Sequence, residues 1–284
     1  MTGKNSENKR VFVWKNFTEW KPVLEGMFSD ILTADFIDRI RQNKSRIEYH
    51  DDPIFEELAN REMPSIITPE KITDFRQLYS HIRVYHGCRP VDVKSYYRDG
   101  IAPCEEMRKI QIDRFRSIFL NGEYPELTEE MLQKSVKMTH NPDIGSYFVL
   151  DDNFMIEGHG HYLIYGSEYL CGLVSNLPVE NIEKYRSVLR KIGKPTILEI
   201  DLPNIIDLAP DERIRKILER ILGEWMHNIA YDETRAGIFN LPWGVPKTLP
   251  PEYICSHFSP REIRDSLMGN KIYNTETGEY TERE

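Results

Sequence analysis

Little in this sequence can cross-link or anchor it. Its four cysteines, Cys88, Cys104, Cys171 and Cys255, stand far apart with no Cys-x-x-Cys pair. That pattern argues against a zinc knuckle and a disulfide framework and leads us to expect reduced thiols. No apolar run approaches the roughly 18 residues that would cross a bilayer as a helix. Residues Met1 to Arg10 are polar, lack an apolar signal core and read as a flexible tail. Repeats and low-complexity tracts are missing too. An excess of positive charge is also lacking, because 37 Lys and Arg against 46 Asp and Glu give a net charge of −9. Such a chain does not advertise nucleic acid or an anionic membrane as its partner, although Lys184, Arg186, Arg190, Lys191 and Lys194 could still form a local basic face. These absences predict a cytoplasmic protein without membrane contact.

What is present is core-forming material. Hydrophobic residues make up 40% of the 284 and aromatics 11%, enough for one large domain or a domain with an extension. Helical spacing runs from Phe28 to Ile40, and a second helix is expected over residues 53–61 with Ile54, Leu58 and Ala59 inward. Further helices are expected over 92–99, closed by Gly100, over 105–120, and over 128–139 with Thr128 as N-cap and Pro142 ending the region. The later helices run from Ser167 to Leu177 and from Asn181 to Ile192, where Gly193 stops the chain, and onward from Pro210. Strands are expected to end at His86 and to cover 147–150, 161–165, 196–200 and 252–258, with a hairpin return at 154–156. Residues 242–251 read as a loop, and residues 270–284 as a loose hairpin or tail. The class is α+β, divided into a helical N-terminal extension over 1–78, a main domain over 79–268 and a tail over 269–284.

One segment stands out for chemistry. The run Arg83-Val84-Tyr85-His86-Gly87-Cys88-Arg89-Pro90 carries a β-branched and aromatic strand onto a His-Gly pair, where a side chain is presented and a ligand can approach the backbone. Two further segments join it: the tyrosine-rich stretch Tyr162 to Tyr169, and Glu252 after a Pro/Gly loop. Taken singly, each has an ordinary structural use, the tyrosines as half-buried aromatics and Glu252 as a solvated strand start. His159 and His161, two residues apart with no evident third ligand, do not lead us to expect a metal.

Together, over roughly residues 80–260, these segments resemble the ADP-ribosyltransferase superfamily of the diphtheria toxin and poly(ADP-ribose) polymerase type, in which His, Tyr and Glu come from three strands in that order. Tyr85-His86-Gly87-Cys88-Arg89 resembles its His-Gly-Thr/Ser signature, with Cys88 at the hydroxyl position. Tyr96-Tyr97-Arg98-Asp99-Gly100-Ile101 is similar to the helix that follows. Gly160-His161-Tyr162-Leu163-Ile164 is similar to its tyrosine strand, for which Ser146-Tyr147-Phe148 is a second match. Ser167-Glu168-Tyr169 resembles the helix start bearing a Ser and a second Tyr, and Pro251-Glu252-Tyr253-Ile254 the final Glu strand.

The resemblance implies a split antiparallel sheet and NAD as co-substrate. It implies catalytic roles for His86, Tyr162 and Glu252, with Gly87, Cys88, Arg89, Tyr165, Ser167 and Tyr169 binding the cofactor. Glu157, Glu168 and Glu199 are the other available carboxylates. Cleavage of the nicotinamide–ribose bond passes through an oxocarbenium-like state that a carboxylate can stabilise. Flanking aromatic faces would add about 0.5–2 kcal/mol each through cation–π contact with the charged ring. The implied activity is mono-ADP-ribosylation of a macromolecular acceptor, protein or nucleic acid, as in a toxin or defence effector held by an inhibitory partner. A binding module of the same fold and an NAD glycohydrolase are the alternatives.

Overall fold

The computed structural model describes residues 9–47, 52–139, 145–233, 237–239 and 241–282. Most of the expected N-terminal tail, Pro142 and the last two residues lie outside them. In chain order the elements are β1 (Val11–Phe12), α1 (Phe17–Met27), α2 (Ala34–Gln42), α3 (Asp52–Ala59), α4 (Met63–Ile66), α5 (Pro69–Leu78), β2 (His81–Cys88), α6 (Lys94–Asp99), α7 (Cys104–Phe119) and α8 (Glu129–Met138). There follow β3 (Ser146–Phe148), α9 (His161–Ile164), α10 (Glu168–Ser175), α11 (Ile182–Leu189), β4 (Thr196–Pro203), α12 (Asp211–Tyr231), β5 (Trp243–Val245), β6 (Ile254–Phe258), β7 (Glu262–Asp265), β8 (Lys271–Asn274) and β9 (Tyr280–Thr281). Helices and several small sheets are mixed, which is compatible with the expected α+β class.

Contacts group the chain into two units, residues Met1–Arg83 with Asp201–Ile238, and Val84–Ile200 with Phe239–Glu284. This grouping departs from the expected boundaries at both ends. The long helix α12 belongs with the N-terminal helices, and the C-terminal segment belongs with the second unit.

In the first unit α12 packs on α2, α3 and α5. Its apolar face, with Ile214, Ile217, Leu218, Ile221, Leu222 and Trp225, is buried as the helical spacing predicts. Phe36 stacks on Trp225 at 6.2 Å. The expected continuous helix from Phe28 to Ile40 is interrupted, because residues 28–33 turn and α2 starts at Thr33, whose hydroxyl accepts from the Phe36 N–H. In α3 the innermost side chains are Phe55 and Leu58, with Ile54 and Ala59 half-buried.

The second unit contains α6 to α11, whose helices 7, 8 and 11 pack around α10. Strand β4 pairs antiparallel with β6, β3 with β5, and β7, β8 and β9 form a three-stranded meander. The helix ends follow the sequence signals. Thr128 and Asn181 accept from the N–H groups of Met131 and Lys184, and Gly100 takes a φ of 78° at the end of α6.

Three expected strands are different. Residues 154–158 form a π-helical turn where a hairpin return was expected. The run 161–165 is helical and not a strand, because Leu163, Ile164 and Tyr165 are all buried consecutively. An alternating strand with one solvated face cannot bury three residues in a row, and short apolar runs are ambiguous in period. Residues 251–253 form a 3-10 turn, so β6 begins only at Ile254, while β5 lies within the expected loop.

Candidate functional site

The second unit brings the His86 segment against β3. The main chain of Tyr85 pairs with that of Val149, and the Nδ1–H of His86 donates to the Tyr147 carbonyl at 2.8 Å. A carbonyl can only accept, so this bond fixes the tautomer of the neutral ring and leaves Nε2 as a lone-pair acceptor. Nε2 makes no hydrogen bond among the described residues. The ring lies 5.6 Å from Phe148 and 6.3 Å from Tyr96, centroid to centroid. Burial holds its pKa below the ordinary value, against the pull of the Tyr147 carbonyl. His86 is therefore a neutral acceptor between two aromatic rings.

The neighbouring residues of the motif serve packing. A Cβ on Gly87 would meet Met155 Sδ at 2.8 Å and Leu163 Cδ2 at 3.2 Å, so that face of the glycine is covered by side chains and is not open to a ligand. The Cys88 thiol is buried and donates to the Thr196 carbonyl, and burial pushes it up to about 12. Arg89, expected to touch the cofactor, is 7% exposed. Its guanidinium donates to the carbonyls of Ile192 at 2.9 Å, Leu163 at 3.1 Å and Arg190. It clamps two backbone segments together, residues 190–192 and the one at Leu163.

The tyrosine segment divides. Tyr162, on α9, is half-buried with His159 stacked at 6.1 Å and His161 at 4.0 Å. Burial, followed by the nearby Glu168 carboxylate, pushes its hydroxyl up to about 12, and Tyr147 also lies within its electrostatic reach. Tyr165, expected to bind the cofactor, is a core residue whose hydroxyl donates to Asp265 at 2.5 Å. The Ser167 hydroxyl caps α10 by accepting from Leu170 N–H at 3.2 Å. Tyr169 is buried, its hydroxyl accepting from Arg108 Nε at 3.2 Å.

Ser167, Glu168 and Tyr169 share a small cavity of about 60 Å³ with Cys104, Met107, Arg108 and Gln111 of α7. Gln111 is only 6% exposed, and its Oε1 has no hydrogen-bond partner. A buried acceptor without a donor costs free energy that a ligand N–H or O–H would recover.

Glu252 stands exposed on the 3-10 turn, which packs against α6, the helix carrying Tyr96. It makes no hydrogen bond or ion pair among the described residues. Glu157, by contrast, pairs with Arg264 at 3.0 Å, and Glu199 accepts from the Ser256 hydroxyl.

Sequence reasoning gave no role to Tyr96, Phe148, Gln111 or Arg114. The available signal was the spacing of Cys104, Met107, Gln111 and Arg114, which three- and four-residue steps place on one face of α7. No cluster of His, Cys, Asp and Glu able to hold a metal occurs among the described residues. Nor does any helix there have the length and apolarity to cross a membrane.

Comparison of the chain with protein-family models, with curated proteins and with solved structures returns no match.

Proposed function

We propose that this protein is an NAD-dependent mono-ADP-ribosyltransferase acting on a macromolecule, with an ADP-ribosyltransferase-like fold in its second unit. The observation that carries the reading is His86, a neutral imidazole with Nδ1–H tied to the Tyr147 carbonyl and an unpartnered Nε2 between two aromatic rings. An acceptor held in this way suits a ribose hydroxyl. Tyr162 supplies a half-buried aromatic face for the nicotinamide ring, and burial together with Glu168 keeps its hydroxyl protonated.

Glu252 is the carboxylate assigned to the reacting ribose, because its charge is not already engaged by a protein partner. As the C–N bond to nicotinamide breaks, the positive charge of the pyridinium passes to the ribose and the ring leaves neutral, so no general acid is needed. The carboxylate stabilises the oxocarbenium-like ribose, and a nucleophile of the acceptor forms the new bond at the same carbon. Burial raises the pKa values of Cys88, Cys104 and Cys171, so these three thiols are poor nucleophiles.

The test is incubation with NAD labelled in its adenylate part and a cell lysate. A labelled macromolecule is expected from the natural chain, and at least a hundredfold less from Glu252→Gln. Loss of labelling in Glu168→Gln with Glu252→Gln still active would move the carboxylate role to Glu168. One observation favours a second reading, a binding module of the same fold: Glu252 lies outside the strand, on an exposed turn. NAD binding without any nicotinamide release would establish that reading in place of the transferase.

A further inference from the structure

The first unit holds a cavity of its own, where β1 meets the end of α5 and the start of α1, and the proposed transferase makes no use of it. Its floor is aromatic, formed by Trp20, 1% exposed, and Tyr79, 4% exposed. Its rim is charged and polar, formed by the exposed residues Arg10, Asn16 and Glu19. Pairing of Val11 with His81 sets β1 beside β2, and the Ser80 hydroxyl bonds both the N–H and the carbonyl of Arg10 at 3.2 Å. The Arg10 guanidinium then lies over the Tyr79 ring, 5.1 Å from its centroid. Trp20 is fixed by its indole N–H, which donates to the Trp14 carbonyl at 2.7 Å, so what it adds to the cavity is an apolar ring.

The polar groups around this space are unspent. The Tyr79 hydroxyl is shut off from solvent and makes no hydrogen bond among the described residues. Burial raises its pKa, so it stays an O–H donor without an acceptor. The Arg10 guanidinium is answered only by the Tyr79 ring among the described residues. Glu19 has no hydrogen bond or ion pair there, and Asn16 stands at the N-cap of α1 without its side chain capping the helix. Arg10 and Glu19 line one cavity with opposite charges, yet they do not come within the roughly 4 Å of an ion pair.

These groups define a ligand. The guanidinium and the phenol call for an anionic acceptor, whereas the carboxylate and the amide oxygen call for a cationic donor. A volume of about 70 Å³ is far below the roughly 300–1,000 Å³ of pockets that take drug-sized ligands. What fits is a molecule with a carboxylate and an ammonium a few bonds apart and little else. Within a peptide chain both charges are lost, so the ligand is a free amino acid.

We propose that this cavity binds a free amino acid with a short side chain, its carboxylate held by Arg10 and the Tyr79 hydroxyl and its ammonium by Glu19 and Asn16. Titration calorimetry and ligand-observed NMR on the full chain test it with glycine, L-alanine and L-serine, and with the methyl ester and the N-acetyl derivative of each. At least one of the three amino acids is expected to bind, and each derivative, lacking one charge, to bind at least about tenfold more weakly. Arg10→Gln and Glu19→Gln, both at exposed positions, should each weaken the amino acid by at least about tenfold. Tyr79→Phe should weaken it less and keep the melting temperature, because the hydroxyl it removes serves no bond within the fold.

Absence of binding by all three amino acids would overturn the proposal. So would an ester or N-acetyl derivative that binds as tightly as its parent, which would mark a site for a single charge. Equal affinity in the natural chain, Arg10→Gln and Glu19→Gln would overturn it as well. The site lies in the first unit and its test uses no NAD, so its failure leaves the NAD reading untouched.

Discussion

At the scale of single residues, the partly buried histidines make stability depend on acid. His161 is held down to about 4, by burial first and by the neighbouring His159 next. Burial also lowers His81 and His86 below their usual value. A histidine whose folded pKa lies below its unfolded one binds more protons when unfolded, so stability falls as pH drops from about 6.5 towards about 4. The melting temperature is therefore expected to fall across that window. His161→Gln should flatten part of the slope while leaving the melting temperature at pH 8 nearly unchanged. A slope identical to that of the natural chain would show that His161 is not a source of it. Glu126 acts in the same direction at lower pH: the hydrogen bond from Lys184 holds it down to about 2, so its contribution is lost as pH falls from about 4.5 towards about 2.

At the scale of elements, the close contact between α9 and β7 controls where Tyr162 sits. A Cβ on Gly160 would lie 2.1 Å from the Arg264 carbonyl oxygen and 2.3 Å from Ile263 Cγ2. Backbone cannot yield as a flexible side chain can, so Gly160→Ala must push α9 off β7. Overpacking of this kind costs about 1–3 kcal/mol. Thermal unfolding should report that loss, and nicotinamide release, if the activity is as proposed, should fall with it because Tyr162 moves. An alanine variant as stable as the natural chain would mean that the contact is not tight.

The same region shows why part of the site was legible in the sequence and part was not. The His86 segment reads well because a β-branched and aromatic strand ending in His-Gly has a local signature, and the capped helices at Thr128, Ser167 and Asn181 do too. Tyr162 was expected on a strand because five residues cannot separate the two periods; tertiary burial of Leu163 and Ile164 decides for helix. Arg89 and Arg114 are chemically identical in sequence. Only the fold supplies Arg89 with three carbonyls and leaves Arg114 without an acceptor among the described residues.

At the scale of the whole second unit, the C-terminal residues expected as a tail form part of its core. Asp265 is fully buried and accepts hydrogen bonds from the hydroxyls of Tyr165 at 2.5 Å and Tyr280 at 2.6 Å, and from the Leu267 N–H at 2.9 Å. Arg190 lies over both tyrosine rings, at 5.7 and 5.4 Å, and pairs with Glu183 at 2.5 Å. Tyr273, on β8, is buried beside them in the same cluster. The polarity of Tyr280 and its late position in the chain concealed this, since the partner that makes it structural is fifteen residues earlier and buried.

Removal of one hydroxyl in Tyr280→Phe takes away one bond to a buried carboxylate, worth about 1.5–3 kcal/mol. For a unit of this size that corresponds to a fall of about 3–12 °C in melting temperature, taking about 2–4 °C per kcal/mol. Deletion of residues 269–284 removes Tyr273 and Tyr280 together and leaves Asp265 with Tyr165 as its remaining hydroxyl partner. The truncated chain is expected to lose cooperative unfolding by circular dichroism and to expose apolar surface to a fluorescent dye. A sharp transition at the natural temperature in the truncated chain would return these residues to the status of a tail.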